Sequence, residues 1–178
     1  MKDTLYKIIE KSTAHRKPRD SVKNLIVEKP VLLSELLQIA FNFKDKNHIK
    51  ACWILELICI EKMEIFMPHI DLFCKSIHFI TNESALRSIT KVCLLVTKNK
   101  KIITSNFQEE KIIECCFECL ISTDKTANAA YSMRTLYNLS IKHNWIKEEL
   151  IAILSKDISN KSPGYCFAVK DILKKLNP

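Results

Sequence analysis

A chain of 178 residues suffices for one domain that buries roughly 70% of the surface its unfolded form exposes, so a sizeable core is available. Its single glycine, Gly164, leaves almost no place for the positive-φ residues of hairpin turns or for a glycine-rich phosphate loop. An antiparallel sheet protein and a nucleotide-binding loop are thereby excluded. The 28 Lys and Arg residues against 20 Asp and Glu give a net charge of +8, a balance that permits a polyanionic partner and also serves solubility.

Apolar spacing near 3.6 residues predicts helices at about 3 to 13, 18 to 28, 30 to 43, 47 to 61, 67 to 79, 83 to 98, 107 to 122, 125 to 143, 146 to 156 and 163 to 176. The reading is all-α, one domain over residues 1 to 178. The first two segments are the most basic part of the chain, with Lys2, Lys7, Lys11, Arg16, Lys17, Arg19, Lys23 and Lys29 against Asp3, Glu10, Asp20 and Glu28. Lys2 and Asp3 after Met1, with Lys7 and Glu10 breaking the first apolar stretch, give no secretory signal. A cytoplasmic chain with all eight cysteines reduced is therefore expected. Pro30, Pro68 and Pro163 each open an apolar segment, where a missing N–H costs nothing. Asn47, Asn82, Asn106 with Glu109, Asp124 and Ser162 are the expected helix caps.

The fourth segment contains "ACWILELICI", too short to span a bilayer and interrupted by Glu56. Trp53 and Glu56 share a helix face there, and Lys50 lies one turn before Trp53. In "MPHIDLF", His69 and Asp71 could pair as an oriented imidazole; the plainer expectation is Asp71 complementing a helix N-terminus beside a surface histidine. The sixth segment carries Arg87 and Lys91, and the eighth carries Asn128, Tyr131 and Arg134.

Between them lies "ECCFEC", with Cys116 and Cys119 spaced like a redox or metal pair. That spacing falls inside a helix, far from the N-terminal dipole that lowers thiol pKa values, and Glu110, Glu114 and Glu118 oppose a thiolate. No second Cys-x-x-Cys or His-x-x-x-His completes a zinc tetrad. With Cys115, these cysteines are expected to pack as small hydrophobes, like Cys52, Cys59, Cys74, Cys93 and Cys166. The chain gives no catalytic triad either, and neither metal nor cofactor is expected.

Four of the helices align at "KACWILELI", "RSITKVCLL", "NAAYSMRTL" and "FAVKDILKK", each with a small residue in second place. These residues, Ala51, Ser88, Ala129 and Ala168, are separated by steps of 37, 41 and 39 residues. A two-helix period near forty predicts an α-α superhelix of the HEAT or armadillo kind, with about ten helices in four to five hairpins. On its concave face, Lys50, Trp53, Glu56, Arg87, Lys91, Asn128, Tyr131 and Arg134 are the candidate binding residues.

At "KACWILELICIEKMEIFMPHIDLF", "ALRSITKVC", "AAYSMRTLYNL", "WIKEELIAIL" and "AVKDILKKL", the chain resembles a family of short HEAT-like Bacteroidetes proteins often labelled adenylosuccinate lyase. The label implies a lyase activity. The Ser-Ser-x-Met-Pro-x-Lys loop of true adenylosuccinate lyases has no counterpart here, "SMRTL" being the nearest string. A weaker resemblance is to the HEAT-like DNA glycosylases that remove alkylated bases, in which tryptophans pair with an aspartate one turn away. Trp53 is followed at that spacing by Leu57, and Trp145 by Glu149. The expectation is a non-enzymatic scaffold for a protein or polyanionic partner, with nucleic-acid binding as the alternative.

Overall fold

The computed structural model describes the backbone of residues 2–122 and 125–177 and the side chains from Thr4 onward within those ranges. Every regular element among them is helical, and none of the helices is long and apolar enough to cross a membrane. The chain divides into two compact units, Met1–Val92 and Cys93–Pro178.

The first unit contains α1 (Lys2–Lys11), α2 (Arg16–Glu28), α3 (Leu33–Ala40), α4 (His48–Glu61), α5 (Met63–Phe66), α6 (Ile70–Ser76) and the first turns of α7 (Glu83–Lys98). Helix α4 is its centre and packs on α1, α2 and α3. It is apolar nearly all round, and Ala51, Cys52, Ile54, Leu55, Leu57, Ile58 and Cys59 are all buried. A helix with no polar stripe has no stable place except inside.

Two expected helices are shorter than their apolar patterns. Pro30 opens a 3-10 turn, Pro30–Leu32, and the α-helix starts only at Leu33. The segment expected from 67 to 79 begins earlier and is broken into α5, a 3-10 turn at Met67–His69, α6 and a second 3-10 turn at Ile77–Phe79. Pro68 explains the first break, because it lacks an N–H and its ring would collide with the carbonyl four residues back in a continuous helix. Burial holds the broken segment in place, with the fully enclosed rings of Phe66 and Phe73 meeting edge to face at 5.3 Å.

In the second unit, which takes the end of α7, helices α8 (Asn106–Ser122), α10 (Asn144–Leu154) and α11 (Pro163–Leu176) all pack on α9 (Thr126–Ser140). Small side chains let α9 serve three neighbours: Ala129, Ala130, Ser132 and Thr135 are buried beside Met133, Leu136 and Leu139. The Thr135 hydroxyl is satisfied within the helix, donating to the Tyr131 carbonyl at 2.9 Å.

The caps follow the chemistry expected, with two shifts. Asn82 Oδ1 accepts from the amides of Ser84 and Ala85, and Ser162 accepts from the amide of Tyr165 ahead of Pro163. At α4, Asn47 makes no side-chain cap; Asp45 Oδ1 instead accepts the Asn47 amide at 2.8 Å. Asn106 is already helical. The capping box is formed one residue earlier, where Ser105 accepts from the Gln108 amide and Gln108 Oε1 accepts from the Ser105 amide. Ser105 takes the role because its hydroxyl stands three residues before a glutamine. The expected cap Asp124 lies outside the described residues.

Cys115, Cys116 and Cys119 are buried in α8, as are Cys52, Cys59, Cys74 and Cys93 elsewhere, while Cys166 is half-buried. They pack as the sequence expects. Burial pushes the thiols of Cys52 and Cys74 up to about 12 and that of Cys59 well above its usual value.

Candidate functional site

The sequence-derived candidates fall into two groups that lie in different units. Lys50, Trp53, Glu56, Arg87 and Lys91 belong to the first; Asn128, Tyr131 and Arg134 belong to the second.

In the first unit, Trp53 is the centre of a built cluster. It lies on the half-buried face of α4, with its indole Nε1 donating to Ser84 Oγ at 3.0 Å. The Arg19 guanidinium, carried by α2, sits 5.7 Å from the indole centroid, within the range of a cation–π contact. One turn further along α4, Glu56 is buried at 6% exposure. Its Oε2 accepts from the Ser88 hydroxyl at 2.7 Å and from Arg87 Nη1 at 3.2 Å. A buried carboxylate needs such donors, because desolvation otherwise costs several kcal/mol. Ser88 therefore has a second role beyond being small: it closes a hydrogen bond between α7 and α4.

Arg87 is held at one end and open at the other, its side chain 43% exposed while the Glu56 side chain is at 8%. Lys50 is half-exposed, and its amine donates to the Glu10 carbonyl of α1 at 2.6 Å. Arg16, on the same basic helix as Arg19, bonds Asp20 at 2.8 Å. With Arg19 over the indole and Lys50 and Arg87 half-exposed one turn from Trp53 and Ser84 respectively, this surface can bind an anion while a planar or apolar group rests on the indole.

The remaining candidates are less favourably placed. Lys91 is half-exposed on α7. In the second unit, Tyr131 and Arg134 are half-exposed on α9, but Asn128 is 1% exposed and offers no surface to a partner. Glu56 is also removed from direct contact, as an anchor for Arg87. His69 ends the 3-10 turn at Met67–His69, and Asp71 is exposed in the first turn of α6.

Sequence reasoning missed Arg19 and Ser84. Arg19 meets Trp53 across 34 residues of chain, and only its membership in the basic N-terminal run marks it. Ser84 carries no sequence signal beyond standing next to the Asn82 cap. Comparison of the chain with family models, with curated proteins and with solved structures finds no match.

Proposed function

We propose that the chain is a non-enzymatic helical scaffold that binds an acidic protein segment through the Trp53 surface of its first unit. The observation that carries this reading is the Arg19 guanidinium over a half-buried indole that is tied to Ser84, with half-exposed Lys50 one turn before Trp53 and Arg87 one turn beyond Ser84. Fixed aromatic and arginine groups are the residue types that dominate binding energy at interfaces. The N-terminal run of Lys and Arg on α2 extends the same charge.

We further propose that the architecture is an α-α superhelix of the HEAT or armadillo kind, in which α4, α7, α9 and α11 are the second helices of successive hairpins. Support comes from the small residues that mark the repeat: Ala51, Ser88 and Ala129 are completely enclosed, and Ala168 is 2% exposed. Such positions let neighbouring helices approach closely in stacked repeats.

A second reading, nucleic-acid binding, is favoured by one specific observation, the pairing of an arginine with a half-buried tryptophan in a chain of charge +8. Stacking and phosphate attraction would then act together. Titration with a glutamate-rich peptide and, separately, with a DNA duplex tests both readings. The scaffold reading expects the peptide to quench Trp53 emission and Arg19→Gln to weaken it about tenfold. Duplex binding alone, with an affinity that falls steeply with salt, selects the second reading. No response to either ligand sinks both.

A further inference from the structure

The second unit holds a cavity of about 300 Å³ between α8 and the start of α10. One wall is a face of α8 bearing two rows at four-residue spacing, Asn106, Glu110 and Glu114 beside Glu109 and Ile113; the other carries His143 and Trp145. Its lining includes no lysine or arginine, although the chain has 28 of them.

Trp145 is 52% exposed, and its ring is stacked on Phe117 at 6.0 Å between centroids with 27° between planes. One indole face is thus held by a partner ring, which makes the side chain a rigid wall.

The deepest carboxylate is already satisfied. Glu109, 5% exposed, accepts from Thr104 at 2.7 Å, from Lys142 at 3.0 Å, and stands 2.6 Å from His143 Nε2. Nearer the mouth, Glu114 accepts from Lys111 at 2.7 Å, and exposed Glu110 makes no ion pair among the described residues. The groups left for a ligand are the Glu110 carboxylate, the Asn106 amide and an aromatic face.

We infer that this cavity is a binding site for an organic cation, an alkylammonium or alkylguanidinium group that rests against Trp145 and is neutralised by Glu110, with Glu114, already paired with Lys111, as a second acceptor beside it. A cation against an indole is favoured by the ring quadrupole, and the effect grows when the group is partly desolvated. The volume lies at the small end of ligand sites, which suits a single side-chain-sized group. This ligand is opposite in charge to the acidic segment proposed for the Trp53 surface, and the two proposals stand independently.

The cation can be free or carried on a peptide, and the test separates these sources. In a Trp53→Phe background, which leaves Trp145 as the sole tryptophan, emission is followed during titration with n-butylguanidinium and, separately, with an acetylated, amidated Gly-Arg-Gly peptide at low salt. Saturable quenching by the free cation with no gain for the peptide assigns a small-molecule site; at least tenfold tighter binding of the peptide assigns a side-chain receptor. In either case Glu110→Gln with Glu114→Gln is expected to weaken binding about tenfold, with the melting temperature changed little because both side chains reach solvent. A titration with no saturable response from either probe up to about 10 mM overturns the proposal. So does equal affinity in the folded double variant, or equal quenching by the neutral isostere n-butylurea.

Discussion

Cys116 and Cys119 take the one motif in the chain that looks like chemistry and give it a packing role. They lie on the buried face of α8 at 0% and 2% exposure. Replacing both by alanine is expected to lower unfolding stability by about 1–3 kcal/mol through lost volume, read as a shifted denaturant midpoint; a midpoint that does not move would mean the pair contributes nothing to the core. Glu109 sets a pH limit instead. Burial alone would raise its carboxyl, but the hydrogen bonds from His143, Thr104 and Lys142 together outweigh this and leave it below the ordinary range. A carboxyl lowered in the folded state contributes stability that is complete above its unfolded value, about 4.3, and is lost as pH falls through the folded value. Glu109→Gln should therefore flatten part of the stability decline below about pH 4 while lowering stability at neutral pH, measured by chemical denaturation across pH. An acid limb identical to that of the parent chain would remove Glu109 as its source.

At the scale of elements, the sequence was legible where one helix answers to its own composition. The largely apolar character of α4 and the small residues of α9 mark both as central helices, and Ser162 before Pro163 marks the start of α11. Ser162→Ala should cost about 1 kcal/mol by leaving the Tyr165 amide without its cap, a loss visible in the thermal midpoint; an unchanged midpoint would mean that solvent replaces the cap fully. Legibility failed where neighbours compete. Asn106 and Ser105 are both plausible caps, and the choice rests on Gln108 reaching back to Ser105. The apolar period from 67 to 79 continues through Pro68, so periodicity alone gives no sign that the backbone changes to 3-10 geometry there. The candidate site was half legible for the same reason: Trp53, Glu56 and Arg87 share a recognisable spacing, whereas the meeting of Arg19 with Trp53 and of Glu109 with His143 depends on how separate helices pack.

For the whole molecule, the question is whether a charge of +8 acts as a diffuse field or through one surface. A diffuse field attracts any polyanion, with a strength set by net charge and salt. A built surface depends on where the charges stand. Two double variants with the same net charge separate these cases: Arg19→Gln with Lys50→Gln at the Trp53 surface, and Lys100→Gln with Lys101→Gln in the exposed turn after α7. Each takes the chain from +8 to +6. Arg87 is left unchanged, because reversing its charge would set a second carboxylate against buried Glu56 and confuse binding with stability. The four cations substituted all reach solvent to some degree, so both variants are expected to melt within a few degrees of the parent chain. Affinity for the glutamate-rich peptide should fall about tenfold or more in the first variant and less than about twofold in the second, measured at one fixed ionic strength. Equal losses in the two variants would show that the attraction follows net charge alone, and the Trp53 surface would then have no claim to be the binding site.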